Sequence, residues 1–130
     1  MLLEAQKEEN PKLYSPLVLA YLGDAVLELM VRERLVRQAN QPVNRLHQLT
    51  VERVCAAAQS AAVERLLPVL DEEELAIYKR GRNANGNHVP KHADPQDYRR
   101  ATGLEALFGY LYLKGEPGRI EELFALIWQD

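Results

Sequence analysis

At 130 residues and 14.8 kDa the chain has room for one domain, which argues against a catalytic core with a separate binding module attached. Its 47% apolar content suffices for a real core, and a single cysteine excludes an internal disulfide. The net charge of −3 argues against general polyanion binding, but the bases are segregated: between positions 79 and 100, Lys79, Arg80, Arg82, Lys91, Arg99 and Arg100 meet only Asp94 and Asp97, giving about +4 there and about −7 elsewhere.

The N-terminal stretch MLLEAQKEENPK lacks the basic start and apolar core of a signal peptide, so a reducing cytoplasm is expected, with Cys55 a small apolar filler. Ser15 and Pro16 read as the N-cap and first residue of a helix that runs to about Gln38, before Asn40, Gln41 and Pro42 stop it. The apolar run from Leu17 to Val31 is interrupted by Asp24 and Glu28. It falls short of the about 20 residues needed to span a bilayer, so no membrane crossing is expected. A second helix is predicted from near Asn44 until Pro68 intervenes, with Leu46, Leu49, Val54, Ala57, Ala61 and Leu66 at helical spacing. Asp71 with Glu72, Glu73 and Glu74 sets negative charge at the start of a third helix, which ends near Gly81.

The stretch RGRNANGNHVPKHA, with two glycines, three asparagines and a proline, predicts a long polar loop from Gly81 to Ala93. Long loops inside compact domains are often functional. Asp94, Pro95 and Asp97 then open a helix continuing through YRRATGLEALFGYLYL, whose apolar residues cover most of its circumference and make it central. Gly115, Pro117 and Gly118 end it, and residues 119–129 form a last amphipathic helix with Ile120, Leu123, Phe124, Ile127 and Trp128 on one side. No strand-like alternation appears, so the fold class is all-α.

Two acids stand where acids are costly: Asp24 inside LVLAYLGDAVLELMV and Glu105 inside ATGLEALFGYLYL. A carboxylate there faces a large desolvation penalty unless a positive charge accompanies it, and neither helix offers Lys or Arg within one turn. A shared cation resolves both; the alternative is that each acid lines a polar edge of its own helix. Carboxylate oxygens suit Mg²⁺, which polarises a phosphoryl oxygen and activates water. Gly23, costing up to about 1 kcal/mol relative to Ala in a helix interior, marks a close approach to the backbone beside Asp24, for which tight helix packing is an equal explanation. Glu28 shares the face of Asp24, with a solvated or partner-bound role expected.

Other chemistries are disfavoured. His47, His88, His92 and Cys55 lack zinc-ligand spacing, and neither GxSxG nor a phosphate-cradling glycine loop is present. The basic loop with Arg80, Arg82, Asn83, Asn85, Lys91, Tyr98 and Arg99 reads as a phosphate-contacting surface or, alternatively, as an ordinary solvated loop.

The segment LGDAVLE from Leu22 to Glu28, with Tyr21 before it, resembles the signature helix of the ribonuclease III catalytic domain. LEAL from Leu104 to Leu107, continuing through FGYLYL, resembles that family's second acidic helix. The longer stretch RGRNANGNHVPKHADPQDYRRATGLEALFGYLYL is similar to the Mini-ribonuclease III subfamily, which has the catalytic domain without a double-stranded RNA-binding domain.

The resemblance covers nearly the whole chain. It implies an all-α ribonuclease III-like bundle over residues 1–130, acting as a homodimer with duplex RNA across both subunits and a Mg²⁺ site in each, Mn²⁺ being a substitute. Asp24 and Glu105 match the family's acidic positions and are the expected catalytic residues and metal ligands, Asp24 direct and Glu105 either direct or through a water. Arg80, Arg82, Asn83, Lys91 and Arg99 are the expected RNA-binding residues, since duplex RNA is read through its backbone and 2′-hydroxyls. Two positions depart from the larger enzymes of the family: Ala20 and Thr102 stand where those carry further carboxylates. By the same resemblance the products carry 5′-phosphate and 3′-hydroxyl ends and the substrate is precursor 23S ribosomal RNA, with assistance from a ribosomal protein. The rival expectation is a non-catalytic RNA-binding or ribosome-associated member of the same fold.

Overall fold

The computed structural model describes residues 10–84 and 88–129; the first nine residues of the N-terminal stretch, and Asn85 of the basic loop, lie outside them. Among the described residues the elements are α1 (Pro16–Gln38), α2 (Val43–Val54), α3 (Ala56–Leu66), α4 (Glu72–Arg82), α5 (Pro95–Lys114) and α6 (Pro117–Ile127), with short 3-10 turns at Pro11–Leu13 and Leu67–Val69. None is a strand, as the all-α reading requires, and no described helix is long and apolar enough to cross a membrane.

The caps explain where the two longest helices begin. The Ser15 hydroxyl accepts from the Leu17 N–H, and the Asp94 carboxylate accepts from the N–H groups of Gln96 and Asp97, meeting donors that a helix start leaves without partners. Helix α5 is the central rod. Its Leu104, Ala106, Leu107, Phe108, Tyr110 and Leu111 are buried, and it packs most extensively against α1, then α4 and α3. Each large apolar side chain buried in this way is worth about 1.5–3 kcal/mol, so α5 organises the core.

Helices α1 and α5 touch backbone to backbone. A Cβ on Gly23 would overlap the Glu105 carbonyl and stand 2.7 Å from the Gly109 nitrogen. A Cβ on Gly109 would overlap the Leu19 carbonyl and stand 3.1 Å from the Gly23 nitrogen. The glycines thus permit a crossing that any side chain would pry apart, which is the close approach expected at Gly23.

The acidic run at Asp71 does more than start a helix. Asp71 and Glu74 form a capping box, Glu74 N–H donating to Asp71 Oδ1 and Asp71 N–H to Glu74 Oε1. Glu74 also accepts from Arg119 Nε and Nη2, both at 2.8 Å, and the same Nη2 donates to the Val69 carbonyl. Burial pushes the Glu74 carboxyl up, but the Arg119 and Asp71 hydrogen bonds with the charges of Arg119 and Lys114 hold it below its ordinary value. This pair locks α4 to α6.

Four expectations are corrected. The helix predicted from Asn44 to Pro68 is two helices, because Cys55 adopts extended backbone at φ −63° and ψ 158°. The Gln59 side chain takes up the Val54 carbonyl at the break, so a polar contact from the next helix does what a proline or glycine does elsewhere. Cys55 is exposed there and fills no core space. The polar loop starts later than predicted, since α4 continues to Arg82 with Gly81 buried. The last helix begins at Pro117 and ends at Ile127, leaving Trp128 buried beyond it with the Arg53 and Arg34 guanidinium groups 3.8 and 5.2 Å from its ring centroid.

Overpacking the crossing should be costly, whereas Gly118 is open, since a Cβ added there would meet nothing within 4 Å. Gly109→Ala is therefore expected to lower the unfolding free energy by about 3 kcal/mol or more, and Gly118→Ala to leave it unchanged or raised by up to about 1 kcal/mol. Urea titration of both variants checks this, and equal effects would contradict the backbone contact.

Candidate active site

The glycine crossing brings the two anomalous acids together. Asp24 follows Gly23 on α1, and Glu105 on α5 is the residue whose carbonyl Gly23 touches. The carboxyl groups stand side by side, within hydrogen-bonding reach. They do not share the burden equally: Asp24 is at the exposed edge of α1, while Glu105 is largely withdrawn from water. Burial pushes the Glu105 carboxyl from an ordinary 4.5 up to about 8; a hydrogen bond from Gln59 opposes the shift, and the charge and hydrogen bond of Asp24 reinforce it. Among the described residues, no cation is one of the groups acting on it.

Gln59 is the site residue that sequence reasoning missed. It is 4% exposed on α3, and its Nε2 donates to Glu105 Oε2 at 3.2 Å and to the Val54 carbonyl at 2.9 Å. The available signal was one amide within the small-residue run AAAQSAA.

The positions that depart from the larger enzymes supply no extra charge. Ala20 is in the core, and the buried Thr102 hydroxyl donates to the Tyr98 carbonyl at 3.0 Å. Glu28 pairs with Arg32 at 2.9 Å along the exposed side of α1. Among the described residues no group of three or more His, Cys, Asp or Glu gathers, and His47, His88 and His92 are each exposed.

Two adjacent carboxylates, one of them half-buried, nevertheless form a donor set that suits a hard divalent cation. Mg²⁺ is commonly held by one or two carboxylates, with water and substrate phosphate completing its shell.

Of the basic residues, Arg82, Asn83 and Arg99 are brought together with Gln96 and Arg100 around a cleft of about 330 Å³. Arg82 Nε donates to Asn83 Oδ1 at 3.1 Å, and Arg100 pairs with Glu64 at 2.6 Å. Lys91 is exposed on the following loop, and Tyr98 is half-buried near the start of α5. Arg80 is used differently: its Nη1 and Nη2 donate to the Lys12 and Tyr14 carbonyls and clasp the N-terminal turn to α4.

The Ribonuclease III domain family model matches residues 17–116, which contain both acids and the basic cleft. The chain therefore belongs to the ribonuclease III family, and it is an endoribonuclease. Within that family it is similar to the Mini-ribonuclease 3 proteins. That of Thermoanaerobacter sp. (strain X514) is 53% identical over 112 residues, 86% of this chain and 79% of that one. That of Symbiobacterium thermophilum is 49% identical over 114 residues, 88% of each chain. A crystal structure of a Fusobacterium nucleatum protein superposes with a TM-score of 0.83 at 31% identity, covering 92% of this chain and 98% of that one.

The raised Glu105 carboxyl carries a sign that can be measured. Without divalent metal, the folded chain keeps this proton up to about pH 8, whereas the unfolded chain releases it near 4.5. The folded state binds more protons across that window, so its stability falls as pH rises through it. In EDTA, Glu105→Gln is expected to melt about 5 °C or more above wild type at pH 8 and to approach it at pH 4.5. A variant less stable than wild type at pH 8 would contradict the strained pair.

Proposed function

We propose that this endoribonuclease hydrolyses double-stranded RNA with Mg²⁺ bound by Asp24 and Glu105, as a cytoplasmic homodimer whose 130 residues form one catalytic domain. The observation carrying the reading is the Asp24 and Glu105 pair: two carboxyl groups side by side at a helix crossing, with no cation among the described residues acting on Glu105. The Mini-ribonuclease 3 names of the relatives support the reaction class. We further propose precursor 23S ribosomal RNA as the substrate, with a ribosomal protein shaping it.

When bound, Mg²⁺, or Mn²⁺ in its place, supplies charge stabilisation at phosphorus and activation of water, so no histidine base is needed. Asp24, open to solvent on α1, meets the ion and the RNA backbone. Glu105, withdrawn behind it, contributes the second carboxylate from a less hydrated environment where charge interactions are stronger. Arg82, Asn83 and Arg99 take phosphate oxygens and 2′-hydroxyls of the duplex, with Lys91 on the adjoining loop. Arg80 contributes mainly by fixing the N-terminal turn against α4, with its remaining charge directed to the RNA. The products carry 5′-phosphate and 3′-hydroxyl ends.

The homodimer rests on the outer face of α1. Val18, Tyr21, Leu29 and Val36 follow one another along that face and are all exposed, Tyr21 at 84%, and Val43 at the start of α2 is also bare. Such a run is an interface signature when it continues beside a functional site.

Cleavage of a structured duplex RNA, with and without Mg²⁺, tests the reading. Wild type should cut only with the ion, and Asp24→Asn should fall to background; cutting unaffected by the substitution would overturn the mechanism, and binding by wild type without any cutting would favour the non-catalytic rival. Replacing Arg82 and Arg99 with Ala should flatten the salt dependence of duplex binding by about 2 in log–log slope for each subunit on the duplex, and an unchanged slope would remove them from the interface. Sedimentation at micromolar concentration should give a dimer that Tyr21→Glu dissociates, and a wild-type monomer would remove the two-subunit platform.

A further inference from the structure

The break between α2 and α3 leaves the Val54 carbonyl at a helix end, and the amide that occupies it also reaches the active site. We propose that Gln59 is a positioning residue for the metal site: anchored on the Val54 backbone, its amide fixes Glu105 Oε2 and leaves the other carboxylate oxygen to work with Asp24. This rests on the reading that Asp24 and Glu105 hold a divalent ion.

The amide orientation follows from its partners. Both groups facing Nε2 are acceptors, at 2.9 Å on Val54 and 3.2 Å on Glu105 Oε2, and each takes one of the two N–H bonds. The reversed amide would set an oxygen against two oxygens. Gln59 Oε1 is buried without a hydrogen-bond partner, a condition that costs about 1–3 kcal/mol. A Met of similar volume would fill the space without that penalty, so packing alone does not account for the amide; its donor end does.

The remaining surroundings make the restraint consequential. Carboxylates crowded on one ion restrain one another, but Ala20 and Thr102 contribute none, and Thr102 spends its hydroxyl on the Tyr98 carbonyl. Burial also disfavours the anionic form of Glu105, and the Gln59 N–H favours it. A neutral donor thus holds the ligand in place and supports its charge without competing for the cation. Groups that orient a ligand in this way typically change metal affinity by about 10–100-fold.

Mn²⁺ binding to the full chain without RNA, followed by the electron paramagnetic resonance signal of the free ion, tests the assignment. Wild type should bind, Asp24→Asn should not, and Gln59→Met should bind about 10–100-fold more weakly while its metal-free melting shows a single cooperative transition. In cleavage assays the Mg²⁺ concentration giving half the maximal rate should rise by a similar factor for Gln59→Met, and the rate at saturating Mg²⁺ should recover, which a merely structural lesion would not allow. If Gln59→Met does not fold, Gln59→Asn, one methylene too short to join Val54 to Glu105, takes the same tests with the same expectation. Equal Mn²⁺ affinity in wild type and the Gln59 variant would overturn the role of Gln59 and leave the site reading intact. No binding by wild type, or undiminished binding by Asp24→Asn, would overturn the site reading itself.

Discussion

The contact of α1 with α5 at Gly23 and Gly109 is the constraint that shapes both the core and the site. A helix crossing separated by ordinary side chains keeps axes about 8–10 Å apart. Here the glycines let the Gly23 backbone reach the Glu105 carbonyl and the Gly109 backbone reach that of Leu19. The gain in packing is shared along two long helices, and its chemical by-product is that Asp24 and Glu105 emerge next to each other. Stability and chemistry are therefore joined at one point: the apolar face of α5 that builds the core also carries the acid that the core disfavours.

The electrostatic consequence is uneven by construction. Asp24 sits where water can solvate it, and Glu105 does not, so the penalty of pairing like charges collects on the inner carboxyl. Such a site is incomplete as a protein structure and suited to an ion. It contrasts with Glu74, fully buried in the fold, whose two oxygens are met by Arg119 and by the Asp71 N–H. The buried Glu74 is paired from within the chain, whereas half-buried Glu105 is met by the neutral Gln59 amide and by the like charge of Asp24.

Much of this was legible in the residues, and the failures have physical reasons. The N-caps at Ser15 and Asp94 and the stop after Gln38 rest on local backbone chemistry, and the helices begin and end there. The break at Cys55 was not legible, because apolar spacing runs unchanged across a single extended residue and the group that stabilises it, the Gln59 amide, comes from the following helix. The acids were visible because they interrupt apolar runs. Gln59 was not, because a single amide among alanines has no periodic signature and acquires meaning only from what it faces. Arg80 shows the converse: its place in a basic cluster is a sequence property, while its hydrogen bonds to the Lys12 and Tyr14 carbonyls are not.

The helical class, most helix boundaries, the segregation of basic charge and the identity of the two anomalous acids are written in the order of the residues, since each follows from periodicity, capping or composition within one stretch of chain. Folding in three dimensions was needed to bring the acids together, to make Glu105 the strained member and to set Gln59 against it. It also gathered Arg82, Asn83 and Arg99 around one cleft while turning Arg80 to the N-terminal segment. These are relations between residues far apart along the chain, and they are set by how closely two backbones can approach, a distance that no local pattern encodes.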